Sequence, residues 1–179
     1  MPSKDRGRVK GRATSGSFTA LPHSVFRASG ERPAPVANLH PSARAFLVDI
    51  CQQLNGRNNG NLAASPSVMS AYGWTTGSGI NSAVVELVAF GYLVQTRQGG
   101  RNRCSLYGVT WRGIDEGPHD AKPDPVPLNL WHADKEEQRD PEFMRRWKSI
   151  QQGRRGKNAS LYTDKGSLSR EKSARNEAA

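Results

Sequence analysis

The fold of this chain is decided by residues 62–112, which read LAASPSVMSA YGWTTGSGIN SAVVELVAFG YLVQTRQGGR NRCSLYGVTW R. The first three residues are apolar and predict a very short strand. Ser65 and Pro66 then predict a helix start, because a serine side chain can cap a helix and a proline at the first helical position has no N–H to lose. Gly73 ends this helix, and residues 74–77 form a turn.

A second helix is predicted from residue 79 to residue 90. Its inward stripe follows the helical period and consists of Ile80, Ala83, Val84, Leu87 and either Val88 or Phe90. The other faces carry Asn81, Ser82, Val85, Glu86 and Ala89. Thr76 or Ser78 caps the start of this helix, and Gly91 suits the left-handed backbone position that follows a helix end.

A hairpin with a basic tip closes the stretch. Residues 92–97 and 106–111 alternate in polarity as strands do, and residues 98–102 supply the reversal between them. Before the stretch, residues 41–54 form the clearest helical pattern of the chain, with Ala43, Phe46, Leu47, Ile50, Cys51 and Leu54 on one stripe. Together these elements predict an α+β, mainly α fold: a winged helix-turn-helix of three helices and a small β-wing over residues 18–115.

The charge of the chain favours a polyanionic partner. The net charge is +10 and the isoelectric point is near 10.1. Residues 1–20 carry five basic and one acidic side chain (+4), residues 116–142 three basic and eight acidic (−5), and residues 143–179 ten basic and three acidic (+7). Charge alone does not choose between DNA, RNA and an anionic membrane. No stretch approaches 18 apolar residues, so no membrane span is expected.

The segments outside the winged domain are predicted to be arms and linkers. Residues 1–17 are expected to be a disordered basic arm, which either contacts DNA through Arg6, Arg8, Lys10 and Arg12 or only aids solubility. Residues 116–139 are acidic and rich in proline, and predict an extended linker. Residues 140–152 predict an amphipathic helix, and residues 153–179 a disordered basic tail. The stripe of Phe143, Trp147 and Ile150 either recruits a protein partner or folds back on the domain.

Several short phrases carry a family resemblance. They are residues 21–23 (LPH), 40–47 (HPSARAFL), 55–60 (NGRNNG), 86–94 (ELVAFGYLV) and 156–160 (GKNAS). In these phrases the chain resembles small winged-helix proteins of bacterial prophages and mobile elements, which are often likened to replication-organiser or replication-initiator DNA-binding domains. The resemblance covers about residues 18–115 and implies duplex DNA binding and an origin on a mobile element.

The candidate DNA-binding residues are polar or basic and lie in three places. Near the two helix starts they are Ser65, Ser67, Thr75, Thr76, Ser78, Asn81 and Ser82; on the hairpin they are Arg97, Gln98, Arg101, Asn102 and Arg103. Members of the similar family carry Lys or Arg near the start of the second helix, whereas this chain has only short neutral side chains there. Asn81 is suited to adenine, and arginines on a hairpin suit phosphates or a narrow minor groove.

These features predict a DNA-binding protein rather than an enzyme. No catalytic constellation, metal-ligand spacing or cofactor motif is recognised among the serines, the four histidines and the glycines, so no cofactor and no metal is expected. Cys51 and Cys104 predict reduced thiols in a bacterial cytoplasm or nucleoid. A role in replication or in transcription regulation, a homodimer, and a protein-interaction module in place of a DNA binder are open alternatives.

Overall fold

The structure is a computed structural model that describes Thr19 and residues 21–155. Five α-helices occur in this part of the chain: α1 (His23–Phe26), α2 (Pro41–Cys51), α3 (Pro66–Met69), α4 (Gly77–Ala89) and α5 (141–155). Three strands accompany them, namely β1 (Leu62–Ala63), β2 (Leu93–Arg97) and β3 (Leu106–Val109). Residues 1–17, with Arg6, Arg8, Lys10 and Arg12, and residues 156–179 lie outside the described part. No helix within the described part is long and apolar enough to cross a membrane.

The strands form one antiparallel sheet in the order β1-β3-β2. Leu62 pairs with Tyr107, and Leu93 pairs with Val109, so β3 is the central strand. A register shift lies between Gln95 and Arg97, just before the hairpin turns. All four residues of β3 are buried, because the central strand is covered on both faces. The expectation of a mainly helical α+β fold is therefore confirmed.

Helix α2 supplies the base of the core, as its sequence stripe predicts. Ala43, Phe46, Leu47, Ile50 and Cys51 are all fully buried on it. The turn before α4 is fastened to α2 by Trp74, whose indole Nε1 donates to Asp49 Oδ2 at 2.8 Å. The ring of Trp74 also meets Phe46 edge-on, with 4.9 Å between ring centroids. These contacts fix the angle at which α4 leaves the turn.

Helix α4 begins with the side-chain cap that the sequence predicts, but more of its residues are buried than the predicted inward stripe contains. Thr76 caps the helix, since its hydroxyl accepts from the backbone N–H of Gly79 at 3.3 Å. Val85, Glu86 and Ala89, which the helical pattern places on faces other than the inward stripe, are also buried. The Glu86 carboxylate is 3% exposed and accepts the backbone N–H of His40 at 2.7 Å. The last two turns of α4 are therefore enclosed on all sides.

Helix α5 also packs on the domain core. Phe143 is 4% exposed and belongs to the same core cluster as α2 and α4. Trp147 packs edge-on against Phe90, with 5.0 Å between ring centroids. Further along α5, Ile150 lies near Ser78 and Ser82 of α4. Helix α5 therefore contacts both the start of α4 and the residue that follows its end, Phe90.

The predicted linker, residues 116–139, contacts the domain along much of its length. The backbone N–H groups of Asp120 and Ala121 donate to the carbonyl of Thr96, and Asn129 donates to that of Thr110. Leu130 lies directly over Gly91. A short 3-10 helix, Ala133–Gln138, then leads into α5. The segment is irregular, as its prolines predict, but the sheet edge holds it in place.

Candidate nucleic-acid interface

A cleft of about 310 Å³ separates the start of α4 from the hairpin. Its walls are the β1–α3 connection, the first half of α4 and the return strand of the hairpin. The lining includes Ser65, Gly77, Asn81, Cys104, Ser105 and Tyr107. The sequence places these side chains up to 42 positions apart (Ser65 to Tyr107), and the sheet order β1-β3-β2 brings them together. The starts of α3 and α4 and the first residues of the return strand of the hairpin therefore line the same cleft.

The predicted contact residues at the helix starts are mostly exposed. Ser67, Thr75, Thr76, Ser78 and Asn81 are exposed, while Ser65 and Ser82 are half-buried. Three of them already have local roles at the helix starts. Thr76 caps α4, and the hydroxyl of Ser65 meets that of Ser67 at 3.0 Å instead of capping α3. The side chains that remain free to meet a ligand are short and uncharged.

Arg97 stabilises the hairpin from within. Its Nε and Nη2 donate to the carbonyl of Cys104 at 3.3 and 3.1 Å, and its Nη1 donates to the carbonyl of Pro118 at 2.6 Å. The guanidinium thus joins both strands of the hairpin to the segment that follows the sheet. Because three of its five N–H groups are used in this way, Arg97 is a poor candidate for a phosphate contact.

The tip of the hairpin presents the other predicted residues to solvent. Gln98, Arg101, Asn102 and Arg103 are exposed. Asn102 has φ of +61°, so it takes the left-handed conformation that closes the turn. Arg103 approaches Asp120 at 4.0 Å, and both side chains are more than half exposed, which makes this a weak surface pair. Arg101 and Arg103 are therefore the cations that the tip offers to an anionic ligand.

Helix α5 brings a further arginine to this side of the molecule. Nη2 of Arg146 donates to Oδ1 of Asn81 at 3.2 Å. The guanidinium carbon of Arg146 also lies 4.8 Å from the ring centroid of Phe143, a cation–π contact on its own helix. Sequence reasoning missed this residue, since nothing in the spacing of residues 81 and 146 shows that they meet. One indication of it was in the sequence: Arg146 lies beside the stripe of Phe143, Trp147 and Ile150, for which folding back on the domain was one of the two alternatives.

A second groove, of about 390 Å³, lies between the start of α4 and the end of α5. Thr76, Ser78, Gly79 and Ser82 line one wall, and Ile150, Gly153 and Arg154 line the other. Nη1 of Arg154 is buried and has no hydrogen-bond partner among the residues that the structure describes. Arg154 of α5 therefore lines this second groove, and Arg146 of α5 contacts Asn81, which lines the first cleft.

The residues predicted to bind a protein partner are packed against the chain itself. Phe143 is buried, and Trp147 and Ile150 are half-buried against the core. Of the two alternatives for this helix, the structure shows the fold-back one. In this arrangement Phe143 has no surface to offer a partner.

Burial sets the acid–base properties of the nearby phenol and thiol groups. Burial raises the pKa of Tyr107, and the Ser105 hydroxyl and the charge of Arg146 lower it in part. Burial also raises the pKa of the Cys51 thiol to about 12, so Cys51 is an inert core residue. Both cysteines of the chain are free thiols, and no metal-binding group of His, Cys, Asp or Glu occurs within residues 19 and 21–155.

Comparison with known proteins found no matching family model, no matching curated protein and no matching solved structure. The function of the chain must therefore be argued from its own geometry and charge.

Proposed function

We propose that this chain is a winged-helix protein that binds duplex DNA, mainly through the phosphate backbone. The order helix, strand, two helices and two strands, with a sheet in the order β1-β3-β2, supports this proposal, because a winged helix has the same order; α3 and α4 would then be the helix-turn-helix pair. The hairpin of β2 and β3 is then the wing. The net charge of +10 supplies the attraction to a polyanion.

The observation that carries the proposal is the shared cleft. Asn81 of α4, Ser65 before α3 and Ser105 of the hairpin all line it, so the three parts that a winged helix uses on DNA open on one side. A hairpin on the far side of α4 would have argued against DNA. Short hydroxyl and amide side chains at helix starts are typical phosphate contacts, and the exposed arginines of the tip suit phosphates or the minor groove.

The geometry favours backbone contacts over base reading. In α4 every residue from Ala83 to Ala89 is buried, so only the first turn and a half can approach a groove. That region carries Asn81 as its one side chain with a two-sided hydrogen-bonding group for a base edge. We propose a role as an accessory protein for replication, or a transcription regulator, on a mobile element, in keeping with the family resemblance of residues 18–115.

The test is the salt dependence of binding to a short fluorescent duplex of mixed sequence, measured by anisotropy. Affinity should fall steeply between about 50 and 200 mM salt, because each neutralised phosphate releases counterions. The double variant Arg101→Gln/Arg103→Gln should lower the slope of log K against log salt by about 2 if both side chains contact phosphates.

The control is Arg27→Gln/Arg32→Gln, which removes the same charge from the segment before α2. It should change the slope much less than the hairpin variant. Arg97 is left intact, because its hydrogen bonds to Cys104 and Pro118 hold the hairpin and its loss would confuse folding with binding. Absence of binding at about 50 mM salt, where the counterion term is large, contradicts the proposal. An equal effect of the two double variants removes the wing from the interface.

A further inference from the structure

We infer that Arg146 of α5 is a phosphate-contacting residue of the DNA interface and supplies the positive charge that α4 lacks. This inference rests on the proposed function and assigns part of the interface to a helix outside the winged domain. It begins from a shortage: residues 75–82 contain no Lys or Arg, the side chains that neutralise DNA phosphates. The structure places a guanidinium at that point from another part of the chain.

The position of Arg146 is fixed by two contacts. Its Nη2 donates to Asn81 Oδ1 at 3.2 Å, and its guanidinium carbon stands 4.8 Å above the Phe143 ring. Phe143 is itself anchored in the core, so the ring is a rigid support. A guanidinium has five N–H groups, and only one of them is used by a described partner. Arg146 is exposed, so its remaining donors are open to solvent and to a ligand.

The surroundings of Arg146 face the same cleft as the hairpin. Asn81 lines that cleft together with Tyr107 and Ser105, and the charge of Arg146 is close enough to Tyr107 to lower its pKa. Arg146 is therefore hydrogen-bonded to a residue of the cleft wall, Asn81, and the opposite wall is formed by residues 104–107, which directly follow Arg101 and Arg103 in the chain. A phosphate bound at the cleft would have Arg146 beside its α4 wall.

The neighbouring arginine provides an internal comparison. Arg145 is exposed like Arg146 but is turned by about 100° around the helix, away from Asn81. The structure shows no hydrogen bond or ion pair for its side chain within residues 19 and 21–155. Arg145 and Arg146 therefore make equal contributions to the net charge of the chain, but only Arg146 is hydrogen-bonded to a residue that lines the cleft, Asn81. A substitution pair on these two positions separates a contact from a general field effect.

The experiment compares Arg146→Gln, Arg146→Lys and Arg145→Gln in the full chain, with the same mixed-sequence duplex and anisotropy assay. Arg146→Gln should lower the salt slope by about 0.9 and weaken binding about eightfold at about 0.1 M salt, as the loss of one phosphate contact requires. Arg146→Lys should keep most of the slope, because it keeps the charge. Arg145→Gln should leave the slope within error of the unsubstituted chain.

Each outcome separates this inference from the proposed function. If Arg101→Gln/Arg103→Gln lowers the slope and Arg146→Gln does not, the inference is overturned while DNA binding stands. Equal effects of Arg145→Gln and Arg146→Gln also overturn it, since they indicate only a general charge effect. The titration of Arg146→Gln is repeated with a second duplex of different sequence, and a loss confined to one of the two duplexes overturns the phosphate assignment in favour of base contact. If no variant and no salt concentration changes the signal, the proposed function itself fails. Circular dichroism melting of each variant shows whether α5 has stayed folded.

Discussion

The buried side chain of Asn59 should be one of the strongest single determinants of stability in this domain. It is 1% exposed and lies in the loop between α2 and β1. Its Oδ1 accepts from the backbone N–H of Val109 at 2.7 Å, and its Nδ2 donates to the carbonyls of Val109, Gly113 and Arg112 at 2.9, 2.8 and 3.2 Å. One amide group thus joins the loop to the end of the central strand.

The magnitude follows from counting the groups that Asn59→Ala leaves without partners. At least one buried N–H and one buried C=O lose good hydrogen bonds, and each buried unsatisfied group costs about 1–3 kcal/mol. We expect a loss of about 4 kcal/mol in the free energy of unfolding, a large share of the roughly 5–15 kcal/mol of a typical domain. Asn59→Asp should cost more at neutral pH, because it sets a carboxylate oxygen against three carbonyl oxygens.

The assay is urea unfolding followed by far-ultraviolet circular dichroism, with Asn55→Ala as the matched control. Asn55 is exposed in the same loop, and its side chain only accepts from the backbone N–H of Arg57 at 3.0 Å. Asn55→Ala should therefore lower the free energy of unfolding by less than about 1 kcal/mol. The argument is refuted if Asn59→Ala costs no more than Asn55→Ala, or if Asn59→Asp is the more stable of the two position-59 variants.

Two further predictions test how the later segments pack. Gly91→Ala should lower the free energy of unfolding by more than about 2 kcal/mol, because its φ is +76° and a Cβ would overlap the backbone of Leu130. The control Gly73→Ala is also at positive φ but has open space around it, so it should lower the free energy of unfolding by about 1 kcal/mol in the same urea titration. Phe143→Ala should lower the free energy of unfolding by about 3–4 kcal/mol, because Phe143 is buried in the core. The control Lys148→Ala, on the exposed face of α5, should change it very little. Equal thermal stability of the two variants would show that α5 does not pack as described.

The sequence predicts local structure well where a residue type has a local reason for its position. Pro41 and Pro66 begin α2 and α3, and Thr76 caps α4. Gly91 ends α4 in the left-handed conformation. In each case the deciding interaction spans at most a few residues, so the pattern contains it. The sheet is also predictable, because a short apolar strand before two helices has only the hairpin to pair with.

Long-range contacts are where the sequence is insufficient. Val85 and Ala89 lie outside the inward stripe in the helical pattern of α4, yet both are buried, and the pattern does not contain the elements that cover them. Arg97 looks like a ligand-binding cation, and only the position of the Pro118 carbonyl shows that it is a structural residue. The loop phrase at residues 55–60 has no helical or strand pattern, and only the structure shows that its Asn59 forms a buried hydrogen-bond network with the end of β3.

The packing of α5 changes what the weak charge of α4 means. Taken alone, a helix start of threonines, serines and glycines argues against DNA and in favour of a protein-docking surface. Once α5 is in place, that helix start is bordered by Arg146 on one side and Arg154 on the other. A cation that comes from a packed neighbour is held by two elements rather than one, so it loses less conformational entropy when a phosphate binds. The neutral start of α4 allows the Arg146 guanidinium to lie there, because a lysine or arginine at position 81 would repel its positive charge. Asn81 therefore positions Arg146 through its hydrogen bond, in addition to any contact that it makes with DNA itself. We expect Asn81→Lys to weaken DNA binding, although it adds a positive charge.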